Sequence, residues 1–258
     1  MTLDWEELLE TAVNVVTEAA RIARESSQTF EVSTKSSRND LVTTVDIAIE
    51  GLITSRLHSI TGYPCMGEEG HSVDSFDGPV WVIDPIDGTM NYVATQRDYA
   101  VSVALCVDGA PTIGVVCDVA ADTMYTAIAG QGAWRNGEPL GPVPENTSYR
   151  EGILIADVKE LDALPRLAQL VRESRGHRRY GSAALECVEV ARRQAAAFVH
   201  LWVSPWDIAA AQVICQEVGV RVTRLDGTPL DVRYKGSILA AWPQAHAEVL
   251  QRLCIDPT

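Results

Sequence analysis

Asp84 and Asp87 stand three residues apart in the run Trp81-Val-Ile-Asp-Pro-Ile-Asp-Gly-Thr-Met-Asn-Tyr92. The apolar stretch from Val80 to Ile83 reads as a buried strand. Pro85 cannot donate to a sheet ladder and Gly88 permits a sharp turn, so the strand is expected to stop at Asp84. Two carboxylates then crowd at a strand end, with the polar groups of Thr89 and Asn91 close by. Carboxylates held this near repel one another unless a cation lies between them. A hard divalent ion such as Mg2+ takes oxygen ligands and keeps several waters, which a phosphate group can replace.

Three further acids could complete such a site, and each has an ordinary structural alternative. Asp46 follows Leu41-Val-Thr-Thr-Val45, and Asp207 follows Ser204-Pro-Trp206. Both fit the first turn of a helix, where acids satisfy free N–H groups and favour the helix dipole. Glu68, within Met66-Gly-Glu-Glu-Gly70, fits an exposed turn. Spacing along the chain does not bring these acids together, so both readings stand at this level.

Composition narrows the chemistry. The 258 residues are 47% hydrophobic and carry a net charge of -14. So acidic a chain, with scattered Lys and Arg, is not built for nucleic acid. The basic run Arg172 to Arg179 reads as a solvated helix end rather than a binding patch. The six cysteines are widely spaced; Cys106, Cys117, Cys187 and Cys215 sit among aliphatic residues as core positions. The start, Met1-Thr-Leu-Asp-Trp-Glu-Glu7, lacks the basic and apolar regions of a secretion signal, and no membrane-spanning apolar run occurs, so a cytoplasmic setting is expected. A Gly-x-Ser-x-Gly elbow, a P-loop and a His-Glu-x-x-His pair are all missing. His58, His71, His177 and His246 have no ligand spacing, and the six tryptophans read as packing residues.

The elements that must position these acids follow from periodicity. Helical spacing covers residues 3–25 and 45–59. Tyr99–Val107, the Asp108-Gly109 turn and Thr112–Cys117 form a hairpin, extended by Met124–Ala127 and Gly132–Trp134, with a tight turn at Asn136-Gly137. The stretch Gly141-Pro-Val-Pro-Glu-Asn-Thr-Ser148 shifts to Pro and small polar residues and marks a boundary between halves 1–145 and 146–258, packed as one unit. Beyond it come a strand at 153–156, helices at 162–174 and 182–195, a strand at 198–203 and a helix at 206–218. This order predicts a layered α/β fold with mixed sheets.

Taken together, Leu41-Val-Thr-Thr-Val-Asp46, Gly67-Glu-Glu69, Trp81-Val-Ile-Asp-Pro-Ile-Asp-Gly-Thr-Met-Asn91, Gly130-Gln-Gly-Ala-Trp-Arg-Asn-Gly137, Gly181-Ser-Ala-Ala184 and Trp206-Asp-Ile-Ala-Ala210 closely resemble the inositol monophosphatase family. The resemblance implies a five-layered αβαβα sandwich and Mg2+-dependent, lithium-sensitive hydrolysis of a phosphate monoester. It implies that Glu68, Asp84 and the carbonyl of Ile86 hold one Mg2+, that Asp84, Asp87 and Asp207 hold a second, and that Glu68 helps hold a third where three are used. Thr89, paired with Asp46, would position and help deprotonate the attacking water. Asp87, Gly88, Thr89, Ser182 and Ala183 would border the phosphate, and Lys35 would lie on a loop approaching the metals. A homodimer is implied as well.

The chain leaves the family pattern at the alcohol end. His200 stands where animal members carry a glutamate that touches the sugar hydroxyls, and Ala196 stands for a nearby aspartate. Histidine cannot supply the same charged acceptor. The family resemblance implies inositol monophosphate or a related polyol or sugar phosphate as substrate, while His200 points to an alcohol that is not inositol, or not only inositol. The alternatives are the 2'-phosphate of NADP, fructose 1,6-bisphosphate, 3'-phosphoadenosine phosphate and histidinol phosphate. A second alternative makes the protein chiefly a regulatory binding partner with secondary hydrolysis.

Overall fold

The computed structural model describes residues 4–27, 31–34 and 41–254. In chain order the elements are α1 (Trp5–Glu25), β1 (Val32–Thr34), β2 (Leu41–Thr43), α2 (Thr44–Thr61), β3 (Cys65–Gly67), β4 (Pro79–Asp87), α3 (Thr89–Ala94), β5 (Ala100–Val107), β6 (Ala110–Asp118), β7 (Thr123–Ile128), β8 (Gly132–Arg135) and β9 (Glu138–Pro139). The chain continues with β10 (Ile153–Ile155), α4 (Val158–Ala163), α5 (Pro165–Glu173), β11 (Gly176–Arg178), α6 (Ala183–Ala191), β12 (Ala197–Val203), α7 (Pro205–Glu217), β13 (Arg221–Thr223), β14 (Gly236–Ala241) and α8 (Pro243–Cys254).

Two mixed sheets carry the fold. The first runs β3-β4-β5-β6-β7-β8-β9, parallel only between β3 and β4. The second runs β11-β10-β12-β14-β13, with β10 parallel to both its neighbours. Alternation along β4 and β5 sends Trp81, Ile83, Val101 and Val103 to a core shared with α1 and α2. Val82, Ala100 and Ala104 go to the opposite core, shared with α6, α7 and the second sheet. α4, α5 and α8 cover the far face of that sheet. The layers are therefore helices, sheet, helices, sheet, helices, as expected. No described helix is long and apolar enough to cross a membrane.

Several expectations need correction. β4 does not stop at Asp84. Asp84 pairs with Ser102 and Asp87 with Ala100, and the irregularity between them absorbs Pro85 in a bulge where its missing N–H costs nothing. The helix expected over 162–174 starts at Val158 and breaks at Leu164, before Pro165. Residues 176–178 of the basic run form an edge strand rather than a helix end. Trp202 is 68% exposed, unlike the buried Trp81 and Trp242, because the register of β12 shifts between His200 and Val203.

Candidate active site

Asp84, Asp87, Glu68 and Asp207 line one cavity of about 200 Å3, joined by Ile86, Gly88, Thr89, Ala183 and His200. Three parts of the fold deliver the four acids. β4 carries Asp84 into its bulge and ends at Asp87. The turn after β3 carries Glu68, and the first turn of α7 carries Asp207. The bulge matters because it places two acids, three residues apart, beside one cavity.

Each acid is held differently. Asp87 accepts from Ser182 Oγ at 2.6 Å and from the backbone N–H groups of Ala184 at 2.7 Å and Ala183 at 3.2 Å. The start of α6 thus grips Asp87 through its free donors. Ser182 is fully buried and holds this carboxylate in place. Asp207 sits third in a capping box and accepts from Ser204 N at 2.7 Å. Asp84 is 1% exposed, and its Oδ1 has no hydrogen-bond partner.

The electrostatics follow from that crowding. Burial, then the charges of Glu68, Asp87 and Asp207, push the Asp84 carboxyl well above the usual carboxylate range. Burial also pushes Asp87 up to about 6 despite its hydrogen bonds, and raises Asp207 with help from Asp87. Such a site demands positive charge. Among the described residues no three acid, imidazole or thiol groups are already closed into a metal-sized cage. The acids instead face a shared space, and their hard oxygen donors together with the orphaned Asp84 oxygen fit Mg2+.

Asp46 lies behind Thr89, which lines the cavity, and has the helix-start role expected of it. It is the third residue of a capping box on α2, accepting from Thr43 N at 3.0 Å and from Thr43 Oγ1. Its other oxygen accepts from Thr89 Oγ1 at 3.0 Å. Thr89 Oγ1 also lies 3.1 Å from the carbonyl of Ile86. Gly88 opens α3 with φ 94°, and a Cβ there would meet the carbonyls of Asp98 and Gly181 at 3.1 Å. Asn91 ties this turn to the second half by donating to Asp98 O at 2.7 Å and Tyr180 O at 2.6 Å. Its role is structural. Lys35 lies outside the described residues.

The sequence profile of the Inositol monophosphatase family matches residues 4–256. The inositol-1-monophosphatase of Bacillus subtilis (strain 168) is 38% identical, over 96% of this chain and 97% of that protein. The chain belongs to the inositol monophosphatase family. Two solved members align closely with it. SaIMPase-II with inositol monophosphate bound is 34% identical, with a TM-score of 0.85 over 96% of this chain and 93% of that one. An IMPase/NADP phosphatase complexed with Mg2+ and phosphate is 26% identical, with a TM-score of 0.90 over 97% and 96%. Like its family, the chain is a phosphoric monoester hydrolase acting on small phosphomonoesters.

The part of the cavity around His200 holds residues that sequence reasoning missed. Arg179 Nε donates to Asp157 Oδ2 at 2.6 Å, and both line the cavity. Burial opposes ionisation of Asp157, but Arg179 outweighs it and holds the carboxyl below its usual range. Glu160 is 2% exposed and lies behind His200, with Oε1 3.8 Å from His200 Nε2. His200 Nδ1 accepts from Trp202 N at 3.0 Å. Nε2 therefore carries the proton of the neutral ring, the form that burial favours. Glu186 accepts from Tyr180 N and Gly181 N, and burial pushes its carboxyl up to about 7. The Asp157–Arg179 and Glu160–His200 pairings join separate elements and leave no spacing signal.

Glu50 was also missed, although a signal existed. It falls on the apolar stripe of α2 with Val45, Ile49, Ile53 and Leu57, where an acid is out of place unless it has partners.

Proposed function

We propose that this enzyme hydrolyses inositol monophosphate or a related polyol monophosphate, using two or three Mg2+ ions. Glu68, Asp84, Asp87, Asp207 and the carbonyl of Ile86 are the groups that would hold them. The observation that carries this reading is the buried Asp84 oxygen without a partner, set among three other carboxylates on one cavity. When bound, Mg2+ supplies the positive charge that makes water a usable nucleophile and stabilises the departing alkoxide.

The chain's own residues do the rest. Thr89 gives its proton to Asp46, which leaves its oxygen lone pairs to accept a hydrogen from water and aim that water along the cavity. Burial raises the Asp46 carboxyl, which suits it to take up the proton that Thr89 relays. Thr43 fixes Asp46 from behind, so the relay starts from one geometry. The backbone of Gly88 and Thr89 faces the phosphate, and Asp87 is fixed by α6.

The alcohol end favours a neutral polyol over the phosphate-bearing alternatives. Among the described residues lining the cavity, Arg179 is the sole arginine, and it is already paired with Asp157. Glu160 stands behind the neutral His200. Glu160 is itself buried, with one oxygen unpartnered, so no positive charge is left over among the described residues at this end, whereas a second phosphate needs surplus positive charge. The homodimer and cytoplasmic setting implied by the family belong to the same reading.

A substrate panel at fixed Mg2+ tests it. Inositol 1-phosphate is expected to exceed fructose 1,6-bisphosphate and NADP in kcat/KM, with Thr89→Ala lowering every rate by about 10^2- to 10^4-fold. A higher kcat/KM for either phosphate-bearing alternative defeats the polyol assignment. Full turnover in Thr89→Ala defeats the water relay.

A further inference from the structure

The turn that presents Glu68 is wrapped around a buried carboxylate. Glu50, 1% exposed, accepts from Glu69 N at 2.6 Å, from His71 N at 3.3 Å and from the His71 ring nitrogen Nδ1 at 2.7 Å. Gly67 N donates to His71 O at 2.9 Å and closes the turn. Gly67 packs so tightly on the Glu50 carboxyl that a Cβ there would lie 2.4 Å from it. The N–H groups of residues 69 and 71 thus converge on one anion, as backbone nests do. Residues 67–71 have no other regular element to shape them, since β3 ends at Gly67 and β4 begins at Pro79.

Glu50 lies one turn beyond Asp46 on α2, so the two side chains project from the same face. Asp46 grips Thr89 and Glu50 grips the Glu68 turn. One rigid helix therefore sets the spacing between the water-handling group and an acid of the cation site. We infer that Glu50, with His71, is a positioning residue that holds Glu68 at the cavity and so sets how tightly the site takes its divalent cation. Glu50 does not line the cavity and acts only through the turn. Outer groups of this kind typically change metal affinity by about 10- to 100-fold.

The inference rests on reading Glu68 as one of the cation-holding acids, and the test separates the two. Mg2+ affinity is measured by calorimetry on the full chain, and by the Mg2+ concentration giving half-maximal rate. Glu50→Gln places an amide N–H2 against backbone donors. It should weaken Mg2+ binding about 10- to 100-fold, while kcat at saturating Mg2+ stays within about threefold of wild type. His71→Ala keeps the buried carboxylate and removes one donor, so it should shift affinity in the same direction by a smaller factor. It also serves if Glu50→Gln fails to fold. Unchanged Mg2+ affinity in either folded variant overturns the inference, as does a loss of kcat that saturating Mg2+ does not restore. Glu68→Gln measured alongside tests the premise. If it leaves Mg2+ binding intact, the assignment of Glu68 fails. If it weakens binding while Glu50→Gln does not, only the positioning role fails.

Discussion

The two ends of the active-site cavity solve opposite electrostatic problems. At the phosphate end, Glu68, Asp84, Asp87 and Asp207 share one space, and a buried Asp84 oxygen has no partner. At the alcohol end, Arg179 meets Asp157, and His200 faces Glu160. The first end is charge crowded and gains stability only by taking up cations or protons. Among the described residues, the second pairs its one arginine with Asp157 and keeps no positive charge in surplus for an anion.

The largest effect that could break this contrast comes from neutralising Asp84. At pH 7 the folded chain carries the cost of an acid that burial and three acidic neighbours disfavour in its charged form. Asp84→Asn should therefore raise the melting temperature of the metal-free protein by about 2–4 °C, the shift expected for about 1 kcal/mol in a chain of this size. The same variant should lose the stabilisation by Mg2+ and at least about 10^3-fold in turnover. Calorimetry with and without Mg2+ reads both. A metal-free variant less stable than wild type would show that Asp84 is satisfied after all.

A proton sharpens the contrast by a smaller amount. Asp87 is pushed up to about 6 from an ordinary 3.8. Between these values the folded chain keeps a proton that the unfolded chain has lost. The stability from that proton is complete below 3.8 and declines as pH rises, levelling off above about 6. Asp84 and Asp207 are raised in the same sense, so they add to the same decline. Mg2+ takes the deprotonated acids, so its stabilising effect must grow as the protons leave. The Mg2+-induced rise in melting temperature should be near zero at about pH 4.5 and reach its plateau above about pH 7. A Mg2+ effect independent of pH would mean that these acids titrate normally.

The same division governs how much the sequence could reveal. Asp84 and Asp87 were legible because local chain features place them together. Asp46 and Asp207 were legible from local pattern only as helix-start acids, and the capping boxes explain that reading: the N3 carboxylate reaches back to the N-cap N–H three residues earlier. The hairpin of β5 and β6 followed from alternation and a turn. Pro85 misled because a proline inside a bulge need not end a strand. Short edge strands such as β11, and the order of the second sheet, carry too few residues to show a period. The alcohol end was illegible because Asp157 meets Arg179, and Glu160 meets His200, only through tertiary packing. His200 alone looked like a lost carboxylate; the structure places the acid of Glu160 directly behind it.

That compensation gives the finest test of the matched end. Removing His200 or Arg179 deletes a hydrogen-bonding group of the alcohol site and leaves the phosphate site untouched. His200→Ala and Arg179→Gln should each raise KM for inositol 1-phosphate by about 3- to 10-fold, with kcat nearly constant, as expected for loss of about one hydrogen bond used equally in ground and transition states. p-Nitrophenyl phosphate has no hydroxyls to read, so its kinetics should not move. Asp157→Asn cuts the other way. It leaves Arg179 without its counter-charge, and a free guanidinium is a good partner for phosphate. The ratio of kcat/KM for fructose 1,6-bisphosphate to that for inositol 1-phosphate should then rise several-fold, because the matched end has been given surplus positive charge. If the ratio does not rise, the Asp157–Arg179 pair is a structural tie at the cavity wall, and the preference for a neutral alcohol must come from the shape of the site.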